Sequence, residues 1–146
     1  MTPLVIGFLA AHFTLAQLLP TPWWTPNLTV IGLLFATVRK PQHWWLWAAL
    51  CGTGLALGMV RFPVWMIAAS AALAYGFQWC TRRWNANEDW HVQALMVLAG
   101  TLGMMLFLFW LDGAWSLKLL RPLAEHLAAT LAAYVVARRI VAVREA

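Results

Sequence analysis

The side chains equipped for chemistry in this chain are few: four histidines, two cysteines and five acidic residues among 146. Imidazole is the commonest metal ligand and a frequent haem ligand, so the spacing of His12, His43, His91 and His126 is the first thing to weigh. No pair of them shows helical ligand spacing and no Cys-x-x-Cys-His occurs, so neither haem nor a metal is expected. His12, inside an apolar run, reads as a hydrogen-bonded packing residue. Cys51 falls within one apolar run and Cys80 at the end of another, depths that argue against a disulfide. No nucleophile beside a base, no carboxylate pair and no glycine-rich phosphate loop can be assembled. The expectation is a protein that is not an enzyme and carries no cofactor.

One polar group stands out. Glu125 and His126 are neighbours in an apolar segment, and Arg121 stands four residues before Glu125, within side-chain reach on a helix. Ionisable groups at membrane depth are costly and often functional. Here the group lies one turn into its helix, where an interfacial ion pair and the helix N-terminal dipole account for it.

The elements that must position these residues follow from composition. The chain is 63% hydrophobic and 10% charged, with mean hydropathy +0.71, whereas soluble domains carry about 25% charged residues. So few charges cannot cover a soluble surface, and an all-α, polytopic membrane protein is expected, a compact bundle forming one domain over 1–146. A span with its turn uses roughly 22 to 25 residues, so about six helices fit, with no length left for a soluble domain. Apolar runs at 3–19, 27–38, 44–60, 64–80, 91–111 and 122–137 are separated by Pro20/Pro22, Arg39-Lys40-Pro41, Arg61-Phe62-Pro63, Arg82-Arg83 and Asp112-Gly113. The first run lacks a basic leader and an Ala-x-Ala site, so it reads as a retained helix.

Lysine and arginine in short loops stay cytoplasmic. With the N-terminus inside, Arg39, Lys40, Arg82, Arg83, Arg138, Arg139 and Arg144 are cytoplasmic, and Arg61, Lys118 and Arg121 are outside, which favours both termini in the cytoplasm. The bias also explains the net charge of +5 through contact with anionic lipid, without nucleic acid. Tryptophans gather at membrane interfaces. Trp23, Trp24, Trp65, Trp110 and Trp115 fall at the outer boundary, and Trp44, Trp45, Trp47, Trp79, Trp84 and Trp90 at or near the inner one. The second run, at 1.5 Å per residue, reaches about 18 Å against a hydrocarbon core of about 30 Å. Its flanking tryptophans and basic residues make it a short but complete crossing, accommodated by local thinning or a steep neighbouring contact.

Small residues at four-residue spacing let helices approach closely. Gly54 and Gly58, with Gly52 nearby, mark the third helix; Ala68 and Ala72 mark the fourth; Ala124, Ala128 and Ala132 form a stripe on the last. Packing inside the bundle and docking of a partner protein both use such faces. Gly54, Gly58, Ala124, Ala128 and Ala132 are the candidate partner interface, and Arg39, Lys40, Arg82 and Arg83 the cytoplasmic basic face.

As a whole the pattern resembles the family of the rod shape-determining protein MreD. The likeness rests on six helices without a soluble domain and on Pro26-Asn27-Leu28 opening a short second helix that ends at Arg39-Lys40-Pro41. It continues in a glycine-rich third helix, Tyr75-Gly76 before a basic loop, and a last helix from Arg121-Pro122 to Arg138-Arg139. Where the family commonly places an acid after the third-helix glycines, this chain reads GTGLALGMVRFPVWM. The resemblance implies a non-catalytic scaffold of the bacterial inner membrane, working with an MreC-like bitopic partner and components of the elongation synthase. Two other classes fit the same outline. A substrate-capture subunit of an energy-coupling-factor vitamin transporter would need an outward pocket lined by Trp65, Trp110, Trp115, Glu125 and His126. Its alanine docking spacing is missing from GFLAAHFTLAQ. A small accessory subunit of a respiratory or photosynthetic complex would use the tryptophans and His12.

Overall fold

A computed structural model describes residues 2–19, 25–58, 63–86, 89–113 and 116–143. They form six α-helices: α1 (Thr2–Leu18), α2 (Leu28–Arg39), α3 (Trp44–Gly58), α4 (Pro63–Trp84), α5 (Trp90–Asp112) and α6 (Leu120–Val143), with 3-10 turns at Pro41–His43 and Leu117–Leu119. No strand occurs among the described residues. Trp23, Trp24, Arg61, Trp115 and Arg144 lie outside them.

The helix ends have local causes. Asp89 caps α5 by accepting from the backbone N–H groups of His91 (2.8 Å) and Val92 (3.4 Å), which would otherwise be orphan donors. Gly113 ends α5 in the left-handed conformation, φ 65°, where a Cβ would be strained. Lys40 and Pro41 stop α2 as the basic turn predicts. Two helices run further than their apolar segments: α4 continues through Arg82 and Arg83 to Trp84, and α6 begins at Leu120 and passes Arg138 and Arg139 to Val143. Arginine is a good helix former with a long stem, so a basic pair marks where side chains reach water rather than where the helix stops.

α2 is the hub. Leu28 to Val38 are all buried, and every other helix packs against α2, while α3 and α4 make the most extensive helix pair. Ring contacts fix alternating directions. Phe8 of α1 meets Phe35 of α2, Trp44 of α3 meets Tyr75 of α4, and Trp65 of α4 meets Phe107 of α5. The Tyr134 hydroxyl of α6 reaches Gln93 of α5. Alternation gathers Arg39, Lys40, Arg82, Arg83, Arg138 and Arg139 at one end, the basic end, and leaves Lys118 and Arg121 at the other.

Large apolar side chains are exposed along the helices. Leu57 is 83% exposed, Val64 73% and Leu95 65%. The most apolar 18-residue stretch of α5 is only 39% buried. By length and composition α5 and the segment Leu117–Val141 are able to cross a membrane, while Thr2–Leu18 and Leu28–Arg39 are apolar but shorter.

Candidate functional site at the two ends of the central helix

The first four N–H groups of any helix lack partners within it, and α2 begins among apolar neighbours. Asn27 answers this twice. Its side-chain Oδ1 accepts from the Val30 N–H at 3.2 Å, and its own N–H donates to Thr130 Oγ1 of α6 at 2.9 Å. The Thr130 hydroxyl donates in turn to the His126 carbonyl, 2.8 Å away. On the other flank His12 of α1 donates through Nδ1 to the Pro26 carbonyl at 3.2 Å, the packing role expected of it. Pro26-Asn27-Leu28 is therefore clamped between α1 and α6. The hydroxyls of Thr25 and Thr29 are enclosed beside this clamp without a hydrogen-bonding partner.

The basic end has its own lock. Tyr134 is fully buried and stacks on Phe35 of α2, with ring centroids 5.9 Å apart. Its hydroxyl donates to Gln93 Oε1 at 2.9 Å, with the Trp90 carbonyl 3.4 Å away. Gln93 Nε2 donates to the Ala86 carbonyl at 2.6 Å. One turn beyond Tyr134, the Arg138 guanidinium lies 6.0 Å from the Trp90 ring, within cation–π range. One side-chain network thus joins α2, α5, α6 and the turn between α4 and α5.

Both ends hold helices in place. Their groups are hydroxyls, carboxamides, backbone amides and the His12 imidazole, joined by hydrogen bonds between helices that fix position. Among the described residues no three His, Cys, Asp or Glu side chains group as metal ligands, and Cys51 and Cys80 are free thiols.

The predicted interface residues divide by type. Gly54 faces α1, where an added Cβ would come within 2.9 Å of Leu9 Cδ1. Its small side is taken up within this chain. Gly58 closes α3, and its packing lies outside the described residues. Ala124, Ala128 and Ala132 are all exposed along α6, as are Ala68 and Ala72 on α4. Lys40, Arg82 and Arg83 are exposed and Arg39 half-buried at the basic end. His126 is buried in the core, and the cavity of about 340 Å³ between the end of α5 and the start of α6 is walled by leucines, Phe109 and Ser116 rather than by Trp65, Trp110, Glu125 or His126.

Arg121 and Glu125 form the expected pair, Nε to Oε1 2.9 Å, with side chains 89% and 37% exposed. An exposed pair of this kind is screened and entropically costly to hold. Arg121→Gln is expected to change unfolding stability by less than about 0.5 kcal/mol, measured by denaturation in mixed micelles.

Sequence reasoning missed the Tyr134–Gln93 lock and the part played by Gly52, whose added Cβ would lie 2.8 Å from Ile67 Cα. The signal for the lock was present: a glutamine and a tyrosine inside apolar helices need partners. No protein-family model, curated protein or solved structure matches the chain.

Proposed function

We propose that this chain is a multi-pass protein of the bacterial cytoplasmic membrane, with both termini cytoplasmic. In this reading it serves as a non-catalytic scaffold of the cell-shape and peptidoglycan elongation machinery, as its resemblance to the MreD family implies. The membrane reading is supported by the exposed apolar side chains and by the bias of basic residues, six of the eight described, to one end, which matches the rule that such residues stay inside. Six crossings are compatible with the short α2. Its N-terminal end is held by His12 of α1 and Thr130 of α6, and irregular backbone at membrane depth is tolerated where protein encloses it.

The observation that carries the scaffold reading is the exposed stripe of Ala124, Ala128 and Ala132 on α6. Gly54 is taken up inside the bundle against Leu9, whereas this stripe is exposed, and small faces permit the close approach on which helix association in lipid depends. Purification in mild detergent tests it. The native chain is expected to recover cell-wall synthesis proteins, including a bitopic partner. Ala128→Phe is expected to lower that recovery at least about tenfold, a loss near 1.4 kcal/mol, with the chain's own yield preserved. Recovery with an ATPase pair, a tightly held pigment, or unchanged recovery in the Ala128→Phe variant would overturn it.

A further inference from the structure

α4 outruns the helix beside it. Gly52 of α3 faces Ile67 of α4, and eight residues away along each helix Trp44 meets Tyr75, so α3 begins level with Tyr75. From Tyr75 α4 runs nine residues more to Trp84, about 13 Å past the start of α3 at the basic end. One face of this overhang is buried, with Phe77 against Gly100 of α5 and Gln78 and Thr81 beside it. The other face carries Trp79, Arg82, Arg83 and Trp84, all exposed. We infer that this face binds the head group of an anionic phospholipid of the cytoplasmic leaflet, its phosphate held by Arg82 and Arg83 beside the two indoles. The inference rests on the membrane reading above and not on the scaffold role.

The placing of the indoles favours lipid over a protein. Trp79 and Trp84 are 53% and 54% exposed, and their rings meet edge to face at 5.7 Å. Trp45 on α3 and Trp90 on α5 are exposed at the same end. Docking of one partner would bury one such face, whereas these indoles mark the same end of three helices. That distribution suits a bilayer interface, where the ring meets hydrocarbon and the N–H reaches head groups and water. From Trp79 to Trp84 the α4 backbone rises about 7.5 Å, and one head-group layer is about 5 to 7.5 Å deep. The two arginines between them therefore lie within that layer.

The arginines select the head group. Among the described residues no carboxylate pairs with Arg82 or Arg83, and the ion pair of the fold, Arg121–Glu125, stands at the other end. A guanidinium matches phosphate oxygens in a two-bond fork, and its long stem lies along apolar surface while the charge reaches the polar layer. Lys40 and Arg139 are exposed at the same end, so a head group with net negative charge is favoured there and the amine of a zwitterionic one is opposed.

The test uses the full chain purified from membranes in mild detergent, where a lipid that stays bound occupies a site. Native mass spectrometry follows adducts of phosphatidylglycerol and of phosphatidylethanolamine with identical acyl chains. Phosphatidylglycerol is expected to bind at least about tenfold more tightly. The double variant Arg82→Gln, Arg83→Gln changes only exposed side chains, so the fold is spared and the preference is expected to be lost. Lys40→Gln with Arg139→Gln removes the same charge from the same end and is expected to keep it. Equal binding of both lipids by the native chain overturns the site, and so do equal losses in the two double variants, which would show diffuse attraction. Recovery of an acidic protein that depends on Arg82 and Arg83, with the lipid preference unchanged in their variant, overturns it in favour of a protein partner. If any of these occurs while the chain stays in alkali-washed membranes, the lipid site alone fails. Recovery of the chain in the soluble fraction overturns the membrane reading and the lipid site together.

Discussion

Replacing Gly52 with leucine is expected to drive α3 away from α4 and to cost more than about 3 kcal/mol, the upper part of the range for overpacked sites. The reason is geometric. A Cβ at Gly52 would lie 2.8 Å from Ile67 Cα and 3.4 Å from its Cβ and Cγ1. A backbone atom cannot rotate aside, so α4 must shift as a body, and with it the most extensive helix pair in the fold. Gly54→Ala is the control. Its new methyl would meet Leu9 Cδ1 and Cδ2 at 2.9 and 3.0 Å, the far end of a flexible side chain that can change rotamer, so a loss below about 1.5 kcal/mol is expected. Denaturation of purified protein in mixed micelles, followed by helix content and tryptophan emission, compares the two. Similar losses in both variants would show that the Gly52–Ile67 approach does not set the distance between the helices.

That contrast shows where a one-dimensional reading stops. Proline, glycine and charge divide the chain into six apolar segments, and six helices form, because a breaker acts on its own backbone and needs no knowledge of neighbours. Glycine spacing is different. The Gly54–Gly58 pattern says that one face of α3 is small, but which helix meets that face depends on packing, and Gly52, outside the pattern, meets backbone. The same limit hides the role of α2. Its twelve residues suggest a span too short for a bilayer, and Asn27 is readable as a cap. The residue that completes the cap, Thr130, lies 103 positions away. Nor does a twelve-residue run read alone show that five other helices enclose it and bury Leu28 to Val38. The alanine stripe on α6 was legible as a small face, and only the packed structure shows that it stays exposed among the described residues.

The second large effect is expected at Tyr134, where two substitutions separate hydrogen bonding from packing. Tyr134→Phe removes the hydroxyl and leaves Gln93 Oε1 without its 2.9 Å donor inside the bundle. A hydrogen bond between helices contributes modestly, because the unfolded chain also finds partners, so a loss of about 1 kcal/mol is expected. Tyr134→Ala removes the ring as well, at a fully buried position stacked on Phe35. Neighbours close such a void only in part, and truncating a buried aromatic costs about 3 to 5 kcal/mol. The ring sits where α2, α5 and α6 meet, so no single side chain can refill the space without moving a helix. Tryptophan emission adds a local report: Trp90, whose carbonyl lies 3.4 Å from the hydroxyl and whose ring faces Arg138, is expected to shift in both variants, more in Tyr134→Ala. If Tyr134→Phe destabilises as much as Tyr134→Ala, the hydroxyl network rather than ring packing holds α6 to the hub. If neither variant moves the unfolding midpoint, the Tyr134 lock does not hold α6 to the hub.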